Sequence, residues 1–236
     1  MTISETQSNE GWCACCRLET QFHELGSWLR DQYVCARCGS IPRLRAVNLT
    51  LDRYFHAWTS LVLHESSPSY DFVHRFCTSS SYSHFFEGVP LGATHEGVRC
   101  ENLEQLTFPD ETFDLFITQD VLEHVFRPDM AVREIMRVLK PGGAHVFTTP
   151  KHKALTATRQ RATFDGAHVR HLLDPEYHGN PIADGRALVT WDYGDDFEVV
   201  LWRWCGYPTV TYVTRDRALG LDGEYLDVFV TRKISA

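Results

Sequence analysis

The run FDLFITQDVLEHVFRPDMAVREIMRVLKPGGAHVFTTP, from Phe113 to Pro150, constrains the fold of this chain more than any other stretch. Phe113 to Thr118 is short, apolar and rich in Phe and Ile, as expected of a strand buried on both faces. The polar loop Gln119 to Arg127 follows, and Pro128 stands where a first helical turn tolerates proline. Ala131, Ile135, Val138 and Leu139 fall at i, i+4, i+7 and i+8, one stripe of an amphipathic helix. Pro141-Gly142-Gly143 stops that helix, and Ala144 to Thr149 reads as a second apolar strand. This is one βαβ unit, whose strands the handedness rule makes parallel. Open parallel sheets bind ligands beyond the carboxyl ends of their strands. The loop holding Asp120, Glu123 and His124 is therefore the first place to look for chemistry.

Similar units flank this one. Leu61 to Leu63 reads as a first core strand leading into the loop His64-Glu65-Ser66-Ser67-Pro68-Ser69. A second strand is expected near Ser81 to Phe86 and a third at Val98 to Cys100, with Glu101-Asn102-Leu103 at its carboxyl end. Near the end of the sequence, a helix over Phe197 to Trp204 is ended by Gly206, and strands follow at Val210 to Thr214 and Leu226 to Thr231. Strands alternating with helices predict an α/β, doubly wound sheet. The length of 236 residues accommodates that domain plus a small module. A net charge of -8 argues against a nucleic-acid surface spread over the whole protein. No run approaches the roughly 20 apolar residues of a membrane span. The polar start MTISETQSNE is unlike a signal peptide, so a cytoplasmic protein without membrane partners is expected.

In a reducing compartment, the eight cysteines read as ligands or core residues. Cys13, Cys16, Cys35 and Cys38 form C-x2-C-x18-C-x2-C, within the spacing of a four-thiolate zinc site. Two such knuckles can close a tetrahedron with Zn–S bonds of about 2.3 Å. Gly39 gives the second knuckle its turn, and the x2 spacing leaves Cys15 as a spare. A zinc ribbon over residues 1–42, with a disordered polar start, is the expectation. A closed four-thiolate site serves folding, not catalysis, and such a ribbon could also dock a protein partner. After Ile41-Pro42, Leu44, Val47, Leu51, Tyr54, Phe55 and Trp58 repeat at helical spacing, so Arg43 to Trp58 reads as a connecting helix opening a domain over 43–236.

Between about residues 60 and 150 the chain resembles the class I S-adenosylmethionine-dependent methyltransferases, in particular their small-molecule branch. The carrying residues are Glu101-Asn102-Leu103, Leu106, Phe108-Pro109-Asp110, Phe113-Asp114-Leu115, Asp120-Val121-Leu122-Glu123-His124, Glu134 and Arg137-Val138-Leu139-Lys140-Pro141-Gly142-Gly143. The resemblance implies a Rossmann-like seven-stranded sheet closed by an antiparallel carboxyl-terminal pair. It also implies S-adenosylmethionine as cofactor and methyl transfer to a small-molecule or sugar-like acceptor. The cofactor would lie against His64, Glu65, Ser66 and Ser67, with adenine at Glu101, Asn102 and Leu103 and the methionine part beside Gln119 and Asp120. Glu123 and His124 match a pair that in some relatives, such as the ubiquinone-pathway O-methyltransferases, faces the substrate or a metal. One departure stands out: the first turn, glycine-rich in the family, has no glycine here. This leaves a second reading, a cofactor-binding protein that is catalytically degenerate or runs another reaction and uses its ribbon to bind a partner.

A hydroxyl acceptor profits from a general base, and histidine suits that work near neutral pH. His124, in the strand-end loop, is the candidate. A second histidine-rich stretch lies in an expected insertion at about 151–190, where relatives carry substrate-covering loops. It offers His168, His171, Tyr177, His178 and Asn180 to a substrate. His168, His171, Glu176 and His178 are also metal-ligand types, though irregularly spaced.

Overall fold

The computed structural model of the chain describes residues 7–179 and 185–234. They form two compact units. The first takes the chain up to Ser60 together with Tyr70–Thr78 and Thr211–Val228, and the second takes Leu61–Ser69, Ser79–Val210 and the chain from Phe229 on.

In the first unit, β1 (Ser8–Cys13), β2 (Leu18–Glu24) and β3 (Tyr33–Cys35) form an antiparallel sheet in that order. A one-turn helix, α1 (Leu29–Gln32), leads into β3, and α2 (Pro42–Tyr54) follows with its proline in the first turn. The helix expected to reach Trp58 stops at Tyr54. Trp58 instead sits in a 3₁₀ turn, Trp58–Ser60, and its indole N–H donates to Asp52 at 2.8 Å. Leu44, Val47 and Leu51 are buried as their spacing predicts. The core joins Phe22, Tyr33, Ile41, Leu44 and Phe72 to the cysteines Cys13, Cys15 and Cys35.

The second unit contains β4 (Leu63–Ser66), β5 (Ser80–His84), β6 (Thr94–His95), β7 (Val98–Cys100), β8 (Phe113–Gln119), α3 (Pro128–Val138) and β9 (Leu139–Thr148). There follow β10 (Arg159–Gln160), β11 (Ala162–Phe164), β12 (Val169–His171), β13 (Tyr177–Gly179), β14 (Arg186–Leu188), β15 (Trp191–Asp192) and α4 (Phe197–Cys205). The last strands are β16 (Thr209–Tyr212) and β17 (Val228–Arg232). The main sheet runs β16-β17-β9-β8-β4-β5-β7-β6. Strands β7, β5, β4, β8 and β9 are mutually parallel, and β17 is antiparallel to β9.

Among the described residues the sheet therefore has eight strands where seven are expected. The extra one, β6, pairs back on β7 through Glu96-Gly97, both at positive φ (48° and 81°). That is a two-residue hairpin turn, and a two-residue strand is too short to show an apolar pattern.

Three further expectations need adjusting. The first core strand is displaced toward the carboxyl end: His64, Glu65 and Ser66 lie in β4, fully buried, rather than in the loop after it. Polar side chains hid this strand from a hydrophobic reading. They are tolerated because each finds partners: the His64 ring nitrogens meet Ser81 Oγ at 2.8 Å and Ser83 Oγ at 2.9 Å. Second, Pro141-Gly142-Gly143 lies inside β9, not in a turn before it, and α3 ends at Val138. Third, the insertion has secondary structure, in three antiparallel ribbons, β10–β15, β11–β12 and β13–β14. Strands of two or three residues leave no periodicity in sequence. The sheet and α3 enclose a core of Leu115, Phe116, Ile117, Ala131, Val132, Ile135, Val138, Val146 and Phe147, all nearly solvent-free.

Candidate functional site

The carboxyl end of β8 is the expected centre of chemistry, and its loop is tightly held. Asp120 adopts φ 53°, an uncommon conformation for a residue other than glycine. Its amide donates to Thr148 O at 3.0 Å, and its Oδ1 accepts from Thr148 Oγ1 at 2.8 Å. A 3₁₀ turn, Leu122–His124, follows. Tyr193 Oη donates to Leu122 O at 2.7 Å, and Thr190 donates to Glu123 O from its amide and hydroxyl, at 2.7 and 3.0 Å. Residues 190 and 193 thus hold a turn some seventy positions earlier, a role no sequence spacing indicates.

Within this turn Glu123 is buried, with 2% of its side chain exposed. Its Oε2 accepts from Thr149 Oγ1 at 2.9 Å, whereas Oε1 has no hydrogen-bond partner. Burial, and next the charge of Asp120, push its carboxyl up to about 7. His124 sits beside it: Nδ1 lies 2.9 Å from Leu188 O and Nε2 lies 3.9 Å from Glu123 Oε1. A carbonyl only accepts, so Nδ1 carries the hydrogen and Nε2 of the neutral ring is an acceptor. Burial pushes the His124 pKa down and so favours that neutral ring.

The β13–β14 ribbon brings His178 to the same place. Its Nδ1 is 3.9 Å from Glu123 Oε1, its ring stands edge-on to His124 with centroids 5.1 Å apart, and its Nε2 is 3.9 Å from Glu176 Oε1. His168 and His171 lie on or beside the exposed β12 and do not join this cluster. Tyr177 is exposed, with the Arg186 guanidinium 5.0 Å over its ring. Asn180 lies outside the described residues. Glu176 also lines a cleft of about 340 Å³ with His152, Leu155, Arg159, Arg161 and Asp192.

The residues expected to meet a cofactor divide into two groups. Glu65 is fully buried and its Oε1 accepts from Gln119 Nε2 at 2.7 Å, while Gln119 Oε1 is buried without a hydrogen-bond partner. Together they place acceptors at the carboxyl ends of β4 and β8. Ser67, just beyond β4, adopts φ 55°, so the glycine-free first turn still takes the left-handed conformation. The others are engaged in the framework. His64 packs among Phe108, Phe113 and Phe116. Glu101 accepts from Arg99 Nε at 2.6 Å and from the Thr107 amide at 2.9 Å. Asn102 Oδ1 accepts from the Glu104 amide at 2.9 Å, and Leu103 is a core residue.

In the first unit, Cys13, Cys16, Cys35 and Cys38 converge, with all four Sγ atoms within 4.8 Å of one another. Cys13–Cys38 and Cys16–Cys35 Sγ separations are 3.8 and 4.0 Å. Zn–S bonds of about 2.3 Å in a tetrahedron require about 3.8 Å, so the four thiols fit such an ion. The knuckles close through Arg17 N to Cys13 O at 2.7 Å and Gly39 N to Cys35 O at 2.9 Å, with Gly39 at φ 70°. Cys15 stays outside the set, 3.5 Å from Asn48 Nδ2.

Residues 80–147 match the Methyltransf_11 family model, a methyltransferase domain. A ubiquinone/menaquinone biosynthesis C-methyltransferase of Hydrogenovibrio crunogenus is 55% identical over 56 residues, 21% of this chain and 22% of that protein. A probable S-adenosylmethionine-dependent methyltransferase of Mycolicibacterium smegmatis is 32% identical over 75 residues, 32% of this chain and 29% of that protein. The matches thus span less than a third of these curated relatives. A crystal structure of an S-adenosylmethionine dependent methyltransferase from Mesorhizobium loti superposes with a TM-score of 0.50 at 17% identity, covering 79% of this chain and 97% of that one. The α/β unit has the fold of the S-adenosylmethionine-dependent methyltransferases, and residues 80–147 carry a methyltransferase-domain sequence.

Proposed function

We propose that the second unit is an S-adenosylmethionine-dependent methyltransferase acting on a small-molecule or sugar-like acceptor, and that the first unit is a structural zinc ribbon. The observation carrying the methyl-transfer reading is the coincidence of the methyltransferase-domain match with the strands whose carboxyl ends bear Gln119 and Asp120. Glu65 and the unpartnered Gln119 Oε1 form an acceptor pair suited to an ammonium group, as on the methionine part of the cofactor. The Ser67 turn lets the backbone approach there, and adenine contacts at residue 102 would use its backbone and the remaining lone pair of Oδ1. Bound, the cofactor supplies an electrophilic sulfonium methyl. The protein's part is to align an acceptor about 3 Å from it in line, and His124 Nε2, the acceptor nitrogen of the neutral ring, would take the acceptor's proton. The curated relatives' names point to C-methylation, but their matches cover too little of each chain to carry the acceptor over.

Calorimetric titration with S-adenosylmethionine and S-adenosylhomocysteine tests the reading, with saturable heat expected for both; no heat at high micromolar concentration would sink it. The engaged Asn102, whose Oδ1 already accepts from the Glu104 amide, favours the second reading, a cofactor-binding protein that is catalytically degenerate or runs another reaction and uses its ribbon for a partner. Binding of S-adenosylhomocysteine together with no label transferred from the methyl-labelled cofactor to any small-molecule fraction would favour it.

A further inference from the structure

Three groups on different parts of the second unit converge: Glu123, His124 and His178 each bring a ligand-type atom within 4.8 Å of the others, and Glu123 Oε1 is 3.9 Å from both His124 Nε2 and His178 Nδ1. The Glu123 carboxylate and the His124 ring bring no hydrogen to the meeting point when Glu123 is ionised. The His124 hydrogen is committed to Leu188 O on the far side of the ring. The His178 ring lies between two carboxylates, with Nδ1 3.9 Å from Glu123 Oε1 and Nε2 3.9 Å from Glu176 Oε1. Glu176 is itself held by Arg161 at 3.1 Å. Glu123 Oε2 is fixed by Thr149, so Oε1 is aimed inward as a buried atom with no donor. An ionised Glu123 Oε1 and the His124 Nε2 lone pair, 3.9 Å apart, are drawn together by a cation, which also holds the buried carboxyl in its charged form. A histidine whose second nitrogen bonds a carbonyl, as His124 Nδ1 bonds Leu188 O, is oriented as metal-bound imidazoles are.

We propose that Glu123, His124 and His178 form a binding site for a divalent transition-metal ion, with Glu176 and the Leu188 carbonyl as positioning groups. Two imidazoles and one carboxylate suit zinc, iron, manganese or cobalt better than magnesium or calcium. Metal bonds of about 2.1 Å in a tetrahedron need donors about 3.4 Å apart. The pairs at 3.9 Å reach that by closing roughly half an ångström, within a side-chain rotation of His178 on its ribbon. Three protein ligands leave coordination positions for water or an acceptor oxygen, as in catalytic rather than structural sites. This site is separate from the four cysteines and differs from them in ligand chemistry. Metal binding there does not depend on methyl transfer, but it excludes His124 Nε2 from acting as a base, since both use one lone pair.

Cobalt(II) titration of the full, metal-stripped chain separates the two sites, because thiolate ligands give near-ultraviolet charge-transfer bands that nitrogen and oxygen ligands lack. Metal content by mass spectrometry is read alongside. The expectation is a cobalt equivalent with thiolate bands and a second without them. Glu123→Gln and His178→Gln should each abolish the second alone, Glu176→Gln should weaken it about 10- to 100-fold, and Cys35→Ser should abolish only the thiolate bands. His171→Gln, on the exposed ribbon, should change nothing. If the wild type takes up no cobalt beyond the thiolate equivalent, the proposal fails, and this outcome needs no variant to fold. It also fails if Glu123→Gln and His178→Gln retain the second equivalent, or if His171→Gln removes it. Unchanged S-adenosylhomocysteine binding in the absence of any such metal would leave the methyltransferase reading standing while this one falls.

Discussion

Arg45 is fully buried in the first unit, and its guanidinium donates to three backbone carbonyls, those of Ser40, Tyr33 and Gly220. It also lies 4.7 Å over the Phe22 ring. Burial works against its charge, and the neighbouring Cys13, Cys15 and Cys35 favour it. Around a four-thiolate metal site, a buried cation of this kind offsets negative charge. Arg45→Met fills much of the volume but removes these donors from the Tyr33 and Gly220 carbonyls, while Ser40 O keeps the Cys35 amide at 3.0 Å. At about 1 kcal/mol or more each, the loss should reach about 2 kcal/mol, read as a lower urea midpoint for β1–β3 by hydrogen exchange. Gly220 accepts from Arg45 at φ 63°, and a Cβ there would come within 2.5 Å of the Phe22 ring, so glycine is required. In the second unit, Gln119 is the residue whose replacement speaks most directly to the cofactor reading. Gln119→Ala removes a partner of Glu65 and the unpartnered Oε1. One charge-assisted hydrogen bond is worth about 1.5–3 kcal/mol, so affinity for S-adenosylhomocysteine should fall about tenfold or more by calorimetry. Equal affinity would remove Gln119 from the cofactor's surroundings.

Among the elements, β4 and β9 show how a parallel sheet carries polar residues in its interior. In β4, the His64 ring sits among phenylalanines with a serine hydroxyl at each nitrogen, so its polarity is satisfied locally. In β9, His145 is almost solvent-free, stacks on Phe147 at 4.2 Å and meets Thr118 Oγ1 at 3.0 Å. Burial pushes its pKa down to about 3. Because the folded value lies below the unfolded one of about 6.5, the fold holds the neutral ring while the unfolded chain takes up a proton. Stability contributed this way is intact above about pH 6.5 and is lost as pH falls toward 3. Between pH 6.5 and 5 the loss should be about 2 kcal/mol at 1.36 kcal/mol per unit. Urea midpoints at pH 7 and pH 5 measure it, and His145→Gln should flatten the dependence. An unchanged slope in that variant would assign the effect to other groups. The β13–β14 ribbon matters for a different reason, because it carries His178 and the Leu188 carbonyl to Glu123 and His124.

At the scale of the whole molecule, the two units call for separate tests. If zinc holds Cys13, Cys16, Cys35 and Cys38, removing it with a strong chelator should abolish hydrogen-exchange protection in β1, β2 and β3, since metal-binding energy is folding energy in small modules. Retained protection would mean the core of Phe22, Tyr33 and Arg45 suffices without metal. The sequence by itself determined what rests on short spacing and long apolar runs. The paired cysteines, the β8–α3–β9 unit with its ligand-binding end, and the α/β class follow from periodicity and turn chemistry confined to neighbouring residues. Only the tertiary structure decided what depends on residues far apart. It extended the first strand over His64, Glu65 and Ser66, whose burial is tolerated because partners arrive from β5 and β8. It turned the insertion into ribbons too short to leave a pattern, and it set Asn102 and Glu101 into local hydrogen bonds. It also joined His178 to Glu123 and His124 across more than fifty residues. A lone pair's direction is fixed by whatever bonds the ring's other side, and for His124 that group is the Leu188 carbonyl, which only folding brings into place.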